Sequence, residues 1–164
     1  MQFKNVVIQS LAAVDAPVKM TSAEIGDKLK AATDRLGMRR GLIEEISGIK
    51  TRRFWNNGTQ PSDAATMAAE EAIAEAGIDR DKIGVLINTS VCRDYLEPST
   101  ACLVHGNLGL HERCLNFDIG NACLAFLNGM DVAARMIERG EVEYALIVDA
   151  ESSRPITEAT IERL

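Results

Sequence analysis

Cys123 is the side chain whose type and setting point most directly to chemistry. A short apolar run beginning at Cys114 stops at Gly120-Asn121, and a helix-patterned segment begins around Cys123, so one thiol falls at a strand-to-helix turn. The first turn of a helix has unpaired backbone N–H groups and the positive end of the helix dipole, and both favour a thiolate over a thiol. Such a thiolate is a nucleophile. The competing reading is core filling, the usual role of a lone cysteine on an apolar helix.

Glu97 comes second. It lies in a polar loop, residues 89–100, that leaves an apolar run at its C-terminal end, where α/β proteins place their sites. Pro98 disfavours a helical conformation at Glu97, and Ser99 or Thr100 can cap the next helix, so the carboxylate is held at a bend. On those residues alone it reads as a surface glutamate. His105 falls inside a predicted helix and His111 follows a Leu-Gly-Leu turn, and both read as structural or exposed. The other three of the four cysteines, Cys92, Cys102 and Cys114, form no CxxC pair and have no histidine at zinc-finger spacing. They read as small buried free thiols, with no metal site.

The elements that must position these residues follow from periodicity. Phe126, Met130, Ala133 and Ile137 fall on one helical face, with Asp131, Arg135 and Glu138 largely off it and Gly140 as the stop. Leu124, Ala125, Leu127 and Val132 widen the apolar surface, which predicts a helix buried on most sides. Upstream, residues 3–14 read as a central strand buried on both faces, ended by Asp15-Ala16-Pro17. Thr21 and Glu24 have the spacing of a capping box, followed by helical intervals at Ile25, Leu29 and Leu36 up to Gly37. A short helix is expected over 40–46, then an extended stretch, 49–55, with paired arginines and paired aromatic residues. After the turn Asn56-Asn57-Gly58 comes an Ala-rich helix opened by Gln60-Pro61 and ended by Gly77. Strands are expected over 83–88, 114–119 and 144–148, with helices over 100–108 and from 157 onward, and a loop at Ser152, Ser153 and Pro155. Strands alternating with helices predict an α/β fold with a mainly parallel sheet and helices on both faces.

The 164 residues, 46% hydrophobic and 26% charged, suit one globular domain with a real core. A formal charge of −6 argues against general nucleic-acid binding. No apolar run reaches the ~18–20 residues of a membrane span, and the alternating N-terminal segment with its single Lys4 does not read as a signal peptide. A cytoplasmic protein is expected.

The words around Cys123, NACLAF preceded by FDIG and followed by NGM, resemble the nucleophile segment of the thiolase superfamily. Within it the chain is most similar to the OleA group, the long-chain acyl-CoA condensing enzymes of bacterial olefin biosynthesis, and next to the ketoacyl-ACP synthase III enzymes. The likeness extends through SGIKTRRFW, QPSDAATMAAEEA, INTSVCRDYLEPSTA, NACLAFLNGMDVAARM and EYALIVDAE, nearly the whole chain.

That resemblance implies a thiolase-like βαβαβαβ half with Cys123 as acyl-accepting nucleophile. It implies that Glu97, in YLEPST, is a general base acting in the site of the partner subunit of a homodimer. It further implies fatty acyl-CoA substrates, no cofactor, and other olefin-biosynthesis enzymes as partners. Arg52, Arg53 and Trp55 would lie near the entry of the coenzyme A nucleotide, the alternative being an exposed basic pair beside buried aromatic rings. Superfamily subunits contain two similar halves, with the His and Asn of a Cys-His-Asn site in the second. This chain matches the first half over 1–164, which predicts that a complementary C-terminal half completes the functional molecule. Two other readings stay open: a decarboxylative 3-oxoacyl-ACP synthase III, and a non-catalytic half supplying structure and a dimer surface.

Overall fold

The computed structural model describes residues 2–163. They divide into two compact units, one formed by the chain up to Val14 with Gln60–Glu151, the other by Asp15–Thr59 with the segment from Ser152 onward. In the second unit short elements pair among themselves around a few buried residues, Ala16, Ser22, Ile25, Ala32 and Phe54.

The first unit is built on β3 (Ile83–Asn88), which runs parallel to β4 (Leu115–Asp118) on one side and to β5 (Tyr144–Val148) on the other. Val85, Leu86 and Ile87 are fully buried, as expected for a continuous apolar run in the middle of a parallel sheet. Three helices cover it: α4 (Pro61–Ala76), α5 (Thr100–Leu108) and α6 (Ala125–Glu138). Alternate residues of a strand face opposite ways, so Val85 and Ile87 meet α6 through Ala133 while Leu86 points to the other face. The inner side of α6 is a seam of small residues, Ala125, Gly129 and Ala133. At Gly129 the helix comes so close that an added Cβ would sit 3.0 Å from Cγ2 of Thr89 and 3.3 Å from Cγ2 of Ile147.

In the second unit β1 (Val18–Thr21) pairs antiparallel with β2 (Thr51–Phe54), and α1 (Ser22–Lys28), α2 (Lys30–Arg35), α3 (Leu42–Ser47) and α7 (Arg154–Arg163) accompany them. The Thr21–Glu24 capping box is present at the start of α1. The helix expected to run on to Gly37 is instead two short helices broken at Leu29.

Several expectations are corrected. Residues 3–14 form no strand: they lack a ladder partner among the described residues, and Val7, Ile8 and Leu11 are exposed rather than buried on both faces. Their attachments are isolated, Lys4 and Asn5 N–H groups to Glu138 and Ser10 Oγ to the carbonyl of Ala72. β1 arises just after Asp15-Ala16-Pro17, where no strand was expected, because β2 supplies a partner. Pro155 lies inside α7, where proline fits the first turn because its missing N–H has no helical partner to lose. α6 is not buried on most sides, since Leu124 and Leu127 near its start are 57% and 59% exposed. Of the three cysteines expected to be buried, only Cys114 is, while Cys92 is half-buried and Cys102 exposed.

Candidate active site

Cys123 occupies the middle of a single 3₁₀ turn, Ala122–Leu124, between the end of β4 and the start of α6. The turn is strained at Ala122, which adopts φ +44°, a backbone conformation L-residues with a Cβ seldom take. Two bonds hold it there. The N–H of Leu124 donates to the carbonyl of Asn121 at 3.0 Å, and the Asn121 side-chain amide donates to Oδ1 of Asn128 at 2.7 Å, tying the turn to the first turn of α6. Among the described residues Cys123 is exposed rather than packed into a core. By contrast, Cys114 is buried, and burial pushes its thiol above its ordinary range.

Glu97 sits at the exposed tip of loop 89–99, which leaves the C-terminal end of β3. The tip residues Tyr95 and Leu96 are also open, Leu96 to 84%. Ser90 is buried beneath the start of the loop, donating from Oγ to Asn88 Oδ1 at 2.8 Å and accepting from the N–H of Ala150 at 2.8 Å. The carboxylate of Glu151 accepts from the N–H groups of Val91 and Cys92 at 2.6 and 2.9 Å. Nearby, burial and the Glu151 charge push the Asp149 carboxyl above its ordinary value of 3.8, opposed by a hydrogen bond from Thr89.

The structure thus places the two candidates on the segments that leave adjacent parallel strands, β3 and β4, at the same end of the sheet. Their segments approach where Nη2 of Arg93 lies 3.7 Å from the position a Cβ would take on Gly120. Asp118 joins them from below: it accepts from the Asn88 side chain at 3.2 Å and from the N–H groups of Thr100 and Ala101 at 3.2 and 2.9 Å. Sequence reasoning missed the carboxylates Asp94, Asp118 and Glu151. A signal for Asp94 was available in its place beside a run of Pro, Ser and Thr able to cap helices; Asp118 and Glu151 act on residues distant in sequence and left none.

The histidines have structural partners, His105 Nε2 at the carbonyl oxygen of His111 and His111 Nδ1 accepting from the N–H of Arg113. In the second unit Arg52 donates to the hydroxyls of Ser22 and Ser47, and Arg53 to the carbonyl of Ala16 and the carboxylate of Asp15. Phe54 is buried and Trp55 half-buried beside them. Among the described residues no group of three or more His, Cys, Asp or Glu side chains could hold a metal, and no helix is long and apolar enough to cross a membrane.

Residues 117–162, which include the Cys123 turn, match the family model for 3-oxoacyl-[acyl-carrier-protein] synthase III. All 164 residues align at 54% identity with the acyl-CoA:acyl-CoA alkyltransferase of Xanthomonas campestris pv. campestris, covering 48% of that protein. Along its whole length the chain is similar to enzymes of the thiolase superfamily. Two solved structures show the same thiolase-like fold. Cerulenin-bound OleA from Xanthomonas campestris superposes at a TM-score of 0.95 with 55% identity, over 98% of this chain and 47% of that one. A 3-oxoacyl-(acyl carrier protein) synthase III, FabH, from Xanthomonas oryzae pv. oryzae superposes at 0.96 with 55% identity, over 99% of this chain and 48% of that one. The chain spans about half the length of the thiolase-superfamily relatives it matches.

Proposed function

We propose that this chain, joined with a second half, catalyses the non-decarboxylative Claisen condensation of two fatty acyl-CoAs. The reading is carried by one observation: an exposed cysteine on a strained strand-to-helix turn, in a chain 54% identical throughout to an acyl-CoA:acyl-CoA alkyltransferase. The Cys123 thiolate attacks the thioester carbonyl of the first acyl-CoA, CoA leaves as its thiolate, and the acyl group is held on sulfur. Glu97, entering from the other subunit of a homodimer, takes the α proton of the second acyl-CoA. The resulting carbanion attacks the acyl-Cys123 carbonyl, the C–S bond breaks, and a 2-alkyl-3-ketoacyl product forms with the cysteine thiolate restored.

His and Asn side chains from the second half would hydrogen-bond the oxyanion and enolate. Removing a proton beside a thioester calls for a carboxylate kept out of water. Glu97 is exposed on its own chain, so its dry surroundings must come from the site that it enters. No cofactor takes part, and the reaction fits the cytoplasm.

A second reading, decarboxylative condensation by a 3-oxoacyl-ACP synthase III, is favoured by the family match over 117–162 and by the FabH structure. That chemistry creates its carbanion by losing carbon dioxide and needs no base at Glu97.

The test is intact mass spectrometry of the native protein, with any polypeptide that co-purifies, before and after incubation with a long-chain acyl-CoA. One acyl group added in the wild type and none in Cys123→Ala supports the condensing enzyme, and product formation from acyl-CoA alone separates it from the decarboxylative reading. Failure of a properly completed protein to take up an acyl group would overturn it in favour of a non-catalytic half.

A further inference from the structure

Loop 89–99 is held firmly everywhere except at its tip. Its first residues hang from Ser90 and Glu151, and its exit is capped, with Ser99 Oγ accepting from the N–H of Cys102 at 3.2 Å and Asp118 accepting from the N–H groups of Thr100 and Ala101. Between these anchors stands Asp94. Its carboxylate accepts from Ser62 Oγ at 2.5 Å, from Ser62 N–H at 3.2 Å and from Thr100 Oγ1 at 3.2 Å. Ser62 opens α4 and Thr100 opens α5, and both are buried, so this one side chain fastens the loop to two helices at once.

Beyond Asp94, residues 95–98 are exposed, and the chain is not fastened again until Ser99. Glu97 therefore rides on a short bridge whose near abutment is Asp94. We propose that Asp94 is a positioning residue for Glu97, fixing where the base projects without touching the reactants. This inference rests on the reading of Glu97 as the base of the condensation step. A carboxylate binding three donors on rigid helices can set a projection that a hydrated loop cannot, and proton abstraction is sensitive to such placement.

The two half-reactions separate this role from a merely structural one, because Cys123 is acylated before Glu97 acts. In the native protein with any polypeptide that completes it, acylation is followed by intact mass. Condensation is followed by adding a second acyl-CoA to the pre-acylated protein. Asp94→Ala should slow condensation roughly 10- to 100-fold, the scale expected of a misplaced catalytic group, while acylation stays within ~3-fold. Asp94→Asn keeps an oxygen for Ser62 and offers an N–H to the Thr100 hydroxyl, so it should restore most of the condensation rate. If Asp94→Ala does not fold, Ser62→Ala removes one donor to the same carboxylate and should show the same split at smaller size. Equal slowing of both steps, or of neither, would overturn the positioning role. Glu97→Gln serves as the separate check on the underlying reading: condensation unaffected in that variant would remove Glu97 as the base, whatever Asp94 does.

Discussion

Adding one methyl group at Gly129 tests how tightly the cysteine helix is pressed on the sheet. In an exposed helix, Gly→Ala stabilises by ~1 kcal/mol through backbone entropy. Here the new Cβ would lie 3.0 Å from Thr89 Cγ2, 3.3 Å from Ile147 Cγ2 and 3.6 Å from Ile87 Cγ2. Carbon atoms prefer ~3.5–4.0 Å, so helix and sheet must part by roughly half an ångström at the closest contact. Thr89 cannot easily turn aside. It is buried, and its Oγ1 donates to the carbonyl of Val148 at 3.0 Å. Overpacking of this kind costs ~1–3 kcal/mol, which outweighs the propensity gain and leaves a net loss of about 1 kcal/mol. For a chain of this size that is a fall of ~2–4 °C in melting temperature. The same shift is transmitted along α6 towards Cys123, six residues upstream, and should slow acylation several-fold, since a misplacement of ~1 Å can cost 100-fold. Thermal melting and acyl uptake by mass would be measured on wild type, Gly129→Ala and Gly84→Ala. At Gly84 an added Cβ would meet Val142 Cγ1 at 2.6 Å, a worse clash but remote from the cysteine turn in sequence, so stability should drop while acylation of the folded fraction holds. A Gly129→Ala protein that melts higher than wild type, with unchanged acylation, would refute the close-contact account of this helix.

Three further outcomes follow from the same geometry. Ala122→Gly relieves the positive-φ conformation and should stabilise the protein by ~1 kcal/mol, read by urea denaturation, while a looser turn slows acylation of Cys123. Asp118→Ala strips the acceptor from Thr100 N–H, Ala101 N–H and the buried Asn88 amide, and should cost ~2–4 kcal/mol in the same experiment. Asp149 keeps its proton to higher pH in the folded chain than its ordinary value of 3.8. Its contribution to stability is therefore present below 3.8 and is lost as pH rises through the folded value, so Asp149→Asn should flatten that decline and melt higher than wild type at pH 7.

The sequence disclosed those parts of the fold whose determinants are local. Ile83–Asn88, Thr100–Leu108 and Tyr144–Val148 appear with the expected bounds because an uninterrupted β-rich run, or a Ser99 cap with a Gly109 stop, specifies each within a few residues. Residues 3–14 alternate like a strand, but alternation announces only the ability to pair, and pairing needs a partner that the sequence of the segment does not contain. The face of α6 was read only in part for a related reason. Of the expected face Phe126, Met130, Ala133 and Ile137, Ala133 is buried and the other three half-buried, whereas the closest approach to the sheet is made at Gly129, which carries no hydrophobic signal. At the candidate site the thiol at a strand-to-helix turn was legible, but its exposure, the strain at Ala122 and the carboxylates beneath the Glu97 loop are long-range products of packing.

The side-chain bond from Asn88 to Asp118, at the last paired residues of β3 and β4, acts as a gauge for the first unit. One strand runs on from it to the Glu97 tip and the other to the Cys123 turn. Slipping β4 by one residue would turn Asp118 to the opposite face of the sheet, breaking the gauge and uncapping α5 in the same event. The spacing between the loop that carries Glu97 and the turn that carries Cys123 is thus written into a strand register, the common zero from which both segments are measured.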